Sequence, residues 1–387
     1  MTGFFTAPRI AWGPGAVEQL SGLGARRALV VVDPNVARRG GEQRVVEELG
    51  KTETHVEVVA DLVEPQRLDR VAALKERIAT YAPDWLVAVG GGATIDGAKV
   101  ARLWAELPEM ALPDLSPFVE CPDPPRTRLA ALPTTSGSGA EASWTADLVG
   151  ADGAPMELAH RALTPEWALV DAGLATGLSL DQVTDGAFET LGLAVEAYLS
   201  AWANPFSDAL ALDAASTVVR RLPHALRWSD DPEARAALHF AATAAGLAAS
   251  NAQRGVAHAL ARALEGPSGL PYGRLLAILL PLVAEFDHPS ARDRLEALAV
   301  AVSPIEEGGR SALPLAVRLR RLADGAHVPS TLRAAGIAPE RIEEGRESVI
   351  ARTLASPAVL ANPRVPTHDD VRALLAAAVG LPTVGGR

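Results

Sequence analysis

The segment that most constrains the fold is DWLVAVGGGATIDGAKV, residues 84–100, in which an apolar run ends in three consecutive glycines and a helical pattern follows at once. Phosphate groups bind where backbone N–H groups at a helix N-terminus point toward the anion, and residues without a Cβ let the backbone approach closely. The Gly-Gly-Gly-Ala-Thr run at 90–94 meets this requirement. It predicts a phosphate-binding loop after a buried strand, and a tight turn without a ligand is the alternative.

The first half of the chain alternates short apolar runs with helical patterns. The apolar runs at 27–36, 55–63 and 128–139 resemble the one that ends at the glycines, and residues 67–82 show the spacing of an amphipathic helix. Apolar strands separated by helices are typical of a parallel sheet covered on both faces. The sequence therefore predicts an α/β domain for residues 1–178.

The second half of the chain differs in composition and contains long segments rich in Ala and Leu. A length of 387 residues suits two domains better than one. The Gly-rich connection at 170–182 marks the boundary, and we expect an all-helical domain over residues 179–387. The segments predicted to be helical are 181–200, 205–226, 232–264 and 290–302.

Composition excludes several classes of partner. The net charge of −11 argues against a nucleic-acid partner, which would need a basic face. No apolar run approaches the roughly 20 residues that span a bilayer, and the N-terminus lacks the pattern of a secretory signal. The single cysteine, Cys121, forms no disulfide within the chain and is interpreted as a bystander. We expect a cytoplasmic protein with a small-molecule ligand.

Two further features support a dinucleotide ligand. The stretch PTTSGSGAE, residues 133–141, also follows an apolar run, and its hydroxyl groups and glycines would lie at the same carboxyl edge of a parallel sheet. Asp33 ends the ALVVVD strand, where a carboxylate commonly binds the adenine ribose of NAD and repels the 2′-phosphate of NADP. A turn before Pro34 is the alternative role of Asp33. The usual Gly-x-Gly-x-x-Gly fingerprint is not present here, so a standard Rossmann domain is not indicated.

Several spaced motifs resemble those of the iron-containing (group III) alcohol dehydrogenases, which share a fold with dehydroquinate synthase, glycerol dehydrogenase and maleylacetate reductase. GGGATIDGAK is similar to the GGGSxxDxAK motif of the family, and PTTSGSGAE is similar to PTTAGTGSE. VEAYLSAWANPFSD at 195–208 and ANPRVPTHDDV at 361–371 resemble its Glu-Ala-Tyr and Asn-Pro-Arg segments. The motifs occur in the family's order over nearly the whole chain.

The resemblance implies a dehydroquinate synthase-like fold: a Rossmann-like, dinucleotide-binding α/β domain, an all-α domain, and a cleft between them for nicotinamide, substrate and usually Fe²⁺ or Zn²⁺. It also implies a homodimer, because edge strands pair across a dimer axis in the family. NAD is favoured over NADP by Asp33. The residues expected to bind the cofactor are Asp33, Gly90, Gly91, Gly92, Ala93, Thr94, Asp96, Lys99, Thr134, Thr135 and Ser138.

The metal-ligand pattern of the family is broken in this chain. Its Asp-x-x-x-His pair aligns with Glu189 and Leu193, and its HxxxH pair aligns with His258 and Arg262. The second histidine of HxxxH is a catalytic-site residue in the family and not a metal ligand. The last histidine ligand aligns with Tyr272. Only Glu189 and His258 remain as ligands, and two protein ligands rarely hold a transition metal against water. We therefore predict no catalytic metal, and retention of Fe²⁺ or Zn²⁺ is the alternative.

A metal-independent oxidoreductase is the preferred interpretation. Arg262 would stabilise negative charge on the substrate oxygen, and Tyr272 or His258 would supply the proton. Glu189 completes this catalytic set, and a buried ion pair between Glu189 and Arg262 is an alternative role. The substrate would be a small aldehyde, ketone or alcohol, including anionic ones.

Two other functions remain open at this stage. One is a non-redox lyase or cyclase of the dehydroquinate synthase kind, and the other is a catalytically silent, cofactor-binding paralogue. His160 and Arg161 precede the segment TPEWALVD and are candidates for contact with an anionic substrate. We favour the alternative that both are exposed loop residues.

Overall fold

The computed structural model describes residues 4–60, 67–121, 125–151, 153–229, 231–303 and 313–381. It divides into two compact units, Met1–Leu178 and Ser179–Arg387. Unit 1 is built around a parallel sheet, and the described part of unit 2 is helical. The predicted fold class, an α/β domain followed by an all-α domain, is confirmed.

Unit 1 contains a six-stranded, all-parallel sheet in the order β1-β8-β5-β4-β2-β3 and a separate antiparallel hairpin, β6-β7. Because all six strands of the sheet run the same way, their carboxyl ends meet at one edge. The strands are β1 (Arg9–Trp12), β2 (Arg27–Val32), β3 (His55–Val59), β4 (Trp85–Gly90), β5 (Arg128–Pro133), β6 (Thr145–Val149), β7 (Pro155–Ala159) and β8 (Trp167–Val170).

Helices cover both faces of this sheet. The helices of unit 1 are α1 (Pro34–Ala37), α2 (Gln43–Gly50), α3 (Leu68–Tyr81) and α4 (Gly92–Glu106). Alternate side chains of β4 enter two separate apolar clusters: Leu86 and Ala88 pack with residues of α3 and α4, and Val87 and Val89 pack with residues of α2. Burial on both faces explains why the central strands read as continuous apolar runs.

Unit 2 is a bundle in which α5 makes extensive contacts with α6, α7 and α9. The longest helix, α9, carries a kink at Ala291. The helices are α5 (Leu180–Leu199), α6 (Pro205–Arg227), α7 (Pro232–Ala252), α8 (Val256–Ser268), α9 (Tyr272–Ala301), α10 (Leu315–Gly325), α11 (Pro339–Glu344), α12 (Arg346–Ala355) and α13 (His368–Val379). Among the described residues, no helix combines the length and the apolar character needed to cross a bilayer.

Three predicted element boundaries require correction. The continuous helix predicted over 232–264 is wrong, because Gln253 adopts a positive φ of 71° and Gly255 an extended conformation, which separate α7 from α8. The helix predicted over 290–302 is the end of α9. The strand predicted over 55–63 ends at Val59, and residues 61–66 lie outside the described residues.

Candidate functional site

Two of the three glycines in the loop after β4 occupy positions where a side chain would clash. Gly90 is the last residue of β4, Gly91 precedes α4, and Gly92 is its first residue. A Cβ on Gly90 would lie 2.6 Å from Cβ of Thr94, and a Cβ on Gly92 would lie 2.6 Å from Oγ of Ser138. Both distances are too short for real contacts. Packing alone therefore requires glycine at 90 and 92.

The N-terminus of α4 fits a phosphate ligand. The residue before the helix is Gly91, which has no side chain that could accept a hydrogen bond from the first-turn N–H groups, and this turn contains no acidic residue. The amides of Gly92, Ala93 and Thr94 open the helix at the carboxyl edge of the sheet. Such amides and the helix dipole favour an anion.

The structure brings the second predicted loop next to the first. Thr134 follows β5, and its backbone N–H donates to the carbonyl oxygen of Gly90 at 3.0 Å. Ser138 stands against Gly92, and Thr135 and Ser138 are both partly exposed. The hydroxyl-rich loop therefore lies beside the N-terminus of α4, at the edge where open α/β folds bind ligands.

Asp33 lies at the same edge and also has a structural role. Its backbone N–H donates to the carbonyl oxygen of Val89, the residue before Gly90, at 2.9 Å. Its Oδ1 accepts hydrogen bonds from the backbone of Asn35 at 2.7 Å and of Val36 at 3.3 Å, so Asp33 caps α1. The turn-forming role is therefore present, and recognition of a ribose stays a prediction.

Lys99 and Asp96 have a structural role that the sequence did not indicate. Lys99 is fully buried, and its Nζ lies 3.3 Å from Oδ1 of Asp96, 3.0 Å from Oγ of Ser143 and 3.0 Å from the carbonyl oxygen of Thr145. Oδ2 of Asp96 accepts from the backbone of Asp147 at 3.1 Å. Burial lowers the pKa of Lys99 and raises that of Asp96, and the opposite charge of each partner counteracts both shifts. Both side chains connect β6 to α4, and their contact with a cofactor stays a prediction.

The prediction for His160 and Arg161 is only half right. Arg161 is exposed, but His160 is buried. Nδ1 of His160 accepts from the backbone of Ala162 at 3.0 Å, so Nε2 carries the proton and donates to the carbonyl oxygen of Val119 at 2.9 Å. The ring also lies 3.6 Å from Sγ of Cys121, a contact that sequence spacing did not indicate. His160 therefore stabilises its own loop.

Two of the predicted catalytic residues meet in the interior of unit 2. His258 lies on α8, and Tyr272 is the first residue of α9. Nδ1 of His258 and the hydroxyl oxygen of Tyr272 are 2.6 Å apart, and both side chains are buried. Burial raises the pKa of Tyr272 well above its ordinary value, and the charge of Arg262 counteracts this shift. Tyr272 is therefore a protonated phenol at neutral pH.

Arg262 places a guanidinium group on the face of this tyrosine. Its Cζ lies 4.4 Å from the centroid of the Tyr272 ring, and its NH1 lies 2.7 Å from Oε2 of Glu265. Arg262 follows His258 by one turn of α8. The charge of Glu189, on α5, raises the pKa of Tyr272, which places this carboxylate in the same electrostatic environment. The predicted ion pair of Glu189 with Arg262 stays a prediction.

An arginine that the sequence analysis missed attaches α9 to α5. Nε of Arg274 lies 2.6 Å from Oδ1 of Asp185, and its NH2 lies 3.1 Å from Oδ1 of Asp181. The two aspartates are four residues apart and so share one face of α5. This i, i+4 pair of acids was the available signal, although nothing in the sequence named its partner. The contact fixes the helix turn that carries Tyr272.

The residues at the four former ligand positions do not fit a catalytic Fe²⁺ or Zn²⁺. Leu193 is buried and has no donor atom. The hydroxyl group of Tyr272 is engaged with Nδ1 of His258. Glu189 and His258 are then the remaining candidates at these positions, whereas an enzymatic zinc site normally uses three protein ligands.

Comparison with known proteins assigns the family. The model of the iron-containing alcohol dehydrogenase domain matches residues 7–172, and the model of the C-terminal domain of Fe-containing alcohol dehydrogenases matches residues 184–379. The chain belongs to the iron-containing alcohol dehydrogenase family. The resemblance inferred from the motifs is thereby confirmed, and the chain is an oxidoreductase of the alcohol dehydrogenase type.

Similar proteins support this assignment along the whole chain. The NADPH-dependent butanol dehydrogenase of Clostridium saccharobutylicum is 28% identical, over 95% of this chain and 96% of its own length. An iron-containing alcohol dehydrogenase from Thermococcus thioreducens superposes with a TM-score of 0.87 at 27% identity, over 97% of this chain and 99% of that one. The sulfoacetaldehyde reductase of Bifidobacterium kashiwanohense, solved in complex with NAD⁺, shares the fold with a TM-score of 0.84 at 22% identity, over 98% and 99% of the two chains.

Proposed function

We propose that this member of the family is an NAD(H)-dependent oxidoreductase that interconverts a small carbonyl compound and its alcohol without a catalytic metal. The observation that carries the proposal is the 2.6 Å contact between His258 and Tyr272 beside the Arg262 guanidinium, where the family has metal ligands. In carbonyl reduction a metal polarises the carbonyl oxygen and stabilises the developing alkoxide. A fixed cation and a proton donor can have the same two effects.

The first unit would hold the dinucleotide. Backbone amides at the start of α4 would bind its pyrophosphate, and the hydroxyl groups of Thr135 and Ser138 would line the adjacent surface. The nicotinamide ring, when bound, supplies or accepts the hydride. Asp33 supports a preference for NAD, since a carboxylate at the end of this strand repels a 2′-phosphate.

Residues of the second unit would transfer the proton to and from the substrate oxygen. In the reducing direction, Tyr272 donates its hydroxyl proton to the substrate oxygen. His258 gives the phenolate a proton from Nδ1 as Nε2 takes one up from water, so that each turnover consumes one proton from solvent. In the oxidising direction the same protons move the opposite way. The high pKa of Tyr272 suits donation to a developing alkoxide, which is a stronger base than a phenolate.

The charge of Arg262 defines the substrate class. A permanent cation next to the proton donor lowers the free energy of negative charge on the substrate oxygen, and the effect is largest where burial excludes water. It would also attract a substrate that carries its own anionic group. We therefore propose small aldehydes and ketones, with anionic ones favoured.

Assembly as a homodimer is a further part of the proposal. β1 is an edge strand of the parallel sheet, and the side chain of Trp12 at its end is 72% exposed. An edge with unpaired backbone groups and an exposed tryptophan supports pairing with a second copy. Light scattering would test this, and a monomer at all concentrations would contradict it.

The decisive experiment combines elemental analysis with turnover. The purified protein would be treated exhaustively with a chelator and assayed for NADH oxidation with butanal and with anionic aldehydes. We expect the activity to persist, and Tyr272→Phe to lose about 100-fold or more in kcat while binding NADH normally in calorimetry. Activity that disappears on chelation and returns with Fe²⁺ or Zn²⁺ would refute metal independence. If the protein binds neither NADH nor NADPH, the proposed dinucleotide-dependent activity is refuted.

A further inference from the structure

The helix that carries His258 begins without a cap of its own. Gly255 precedes α8 and has no side chain to accept a hydrogen bond from the first turn. The first amides of a helix have no partner within the helix, and in a buried setting each unsatisfied amide costs free energy. Val256, Ala257 and His258 are all fully buried. Their N–H groups therefore require acceptors from elsewhere in the fold.

Glu196 of α5 accepts two of these three hydrogen bonds. The backbone N–H of Ala257 donates to Oε1 at 2.7 Å, and that of His258 donates to the same oxygen at 3.2 Å. Glu196 is itself buried. A carboxylate at a helix N-terminus is also favoured by the helix dipole. Its acceptor oxygen thus bonds directly to the backbone of His258.

Asn362 accepts the third hydrogen bond, the one from Val256. The backbone N–H of Val256 donates to Oδ1 of Asn362 at 3.1 Å. The Nδ2 group of Asn362 donates to Oδ1 of Asp287 at 2.7 Å and to the carbonyl oxygen of Arg364 at 2.9 Å, so both ends of the amide are fixed. This side chain is also buried. The start of α8 is therefore bound by two side chains distant in sequence.

Gly255 makes room for both acceptors. A Cβ at this position would lie 2.6 Å from Oδ1 of Asn362 and 2.9 Å from Oε1 of Glu196. The φ of Gly255 is −130°, which other residues adopt freely, so space and not backbone conformation requires glycine here. Any side chain at position 255, including one that could cap the helix, would displace the two acceptors that now bind the first amides of α8.

We propose that Glu196 and Asn362 are positioning residues that set the distance between His258 and Tyr272. Glu196 ties the His258 backbone to α5, and Arg274 ties the first turn of α9, with Tyr272, to the same helix through Asp185. The two partners of the 2.6 Å contact are thus placed by separate attachments to α5. Moving either attachment changes the contact. The catalytic consequence rests on the function proposed above, whereas the geometric one does not.

The key variant is Glu196→Leu, compared with Glu196→Gln. Leucine removes both acceptor oxygens. Glutamine keeps one oxygen that can accept from both N–H groups, as Oε1 does now, and loses only the longer contact of 3.3 Å between Oε2 and the His258 N–H. Asn204→Ala is the matched control, because Asn204 accepts from the first-turn amides of Phe206 and Ser207 on α6 and that helix carries no proposed catalytic residue. All three would be studied as the full chain with NADH and butanal.

We expect Glu196→Leu to shift the NMR signals of the His258 ring and to lower kcat by about 100-fold with little change in KM, since a displacement of about 1 Å costs that much. Glu196→Gln should restore both to within several-fold of the wild type. Asn204→Ala should lower Tm and leave kcat and the His258 signals unchanged. Asn362→Ala should act like Glu196→Leu but more weakly, and it provides the test if Glu196→Leu does not fold.

Unchanged His258 signals in folded Glu196→Leu or Asn362→Ala would overturn the proposal. So would an equal loss of kcat in Asn204→Ala, because the effect would then be one of general destabilisation. Displaced His258 signals with an unaltered kcat would support the positioning role and instead refute the catalytic role of His258. The two failures are therefore distinguishable.

Discussion

The backbone of Gly273 lies against the carbonyl group of Asp185, so closely that a Cβ at 273 would stand 1.9 Å from that oxygen. The clash is with main chain and cannot be relieved by a rotamer change. We expect Gly273→Ala to separate α9 from α5, to lower the stability by about 3 kcal/mol or more, and to displace Tyr272.

Gly325→Ala is the control for this variant. Gly325 is the last residue of α10, it does not precede a proline, and a Cβ there would meet no atom from another part of the chain within 4 Å. Alanine should therefore stabilise the helix by about 0.4–1 kcal/mol. Thermal unfolding of both variants checks the prediction, which fails if the two glycine replacements have similar effects.

The charge of Asp33 can be removed without losing its cap. Asparagine caps helices as well as aspartate does, so Asp33→Asn should keep the hydrogen bonds to Asn35 and Val36 and the same Tm. Without the repulsion, NADPH should bind about tenfold more tightly relative to NADH. Calorimetry with both dinucleotides provides the measurement. Asp231→Asn, at the cap of α7, is the control, and an unchanged ratio in Asp33→Asn would show that Asp33 acts only as a cap.

Replacement of Arg262 distinguishes a catalytic role from a structural one. If its cation stabilises the developing alkoxide, Arg262→Ala should lose about 100- to 1,000-fold in kcat, and Arg262→Lys should recover part of the loss. Steady-state kinetics after chelation gives the comparison. Arg292→Ala removes an exposed arginine of α9 that pairs with Glu296, and it should change neither kcat nor Tm. A lower Tm with normal turnover in Arg262→Ala would instead identify a structural ion pair.

A buried carboxyl group should make unit 2 less stable as the pH rises. Burial raises the pKa of Asp287 to about 7, while Asn362 donates a hydrogen bond to it and the charges of Glu196 and Arg364 act in opposite directions. The folded state therefore holds a proton that the unfolded state has lost, and stability falls between about pH 4 and pH 7.

Asp287→Asn keeps an oxygen that can accept from Asn362 and removes this titration. We expect the variant to be more stable than the wild type at pH 8, by on the order of 2 kcal/mol, and about equal to it at pH 4. Chemical denaturation at the two pH values measures the difference. Equal pH dependence in the two proteins would rule out this contribution of Asp287.

Restoring the family's residues at three ligand positions and at the catalytic-site histidine that Arg262 replaces tests the alignment of the altered site. The variant combines Glu189→Asp, Leu193→His, Arg262→His and Tyr272→His, which supplies donor atoms where leucine now has none. It should bind Zn²⁺ or Fe²⁺ tightly, as elemental analysis after dialysis would show. The wild type, treated in the same way, is the control. A folded variant that retains no metal would mean that these four positions are misaligned.

The cofactor loops were predictable from the sequence because their chemistry is local. Three glycines between an apolar run and a helix restrict the backbone to few conformations, and the structure places them where expected. Lys99 was not predictable in the same way. Its position in the motif suggested the cofactor, but its actual partners, Ser143 and Thr145, depend on how β6 packs against α4.

The altered site was only partly predictable for a related reason. Alignment placed His258, Arg262 and Tyr272 near one another, but it gave no indication that Tyr272 bonds to Nδ1 or that Arg262 pairs with Glu265 along its own helix. Side-chain contacts of this kind are decided by helix packing. The interruption at Gln253 was missed because the surrounding Ala-rich sequence favours helix on both sides.

The pairing of β1 with β8 also determines how unit 1 can fold during synthesis. Arg9–Trp12 leave the ribosome before the other strands of the sheet, but their partners, Trp167–Val170, emerge only after nearly all of the unit. The other five strands can assemble without β1, since it occupies an edge. Contacts between residues this far apart in sequence raise the contact order, which favours slow folding. β1 therefore stays unpaired in the nascent chain until β8 has been synthesised.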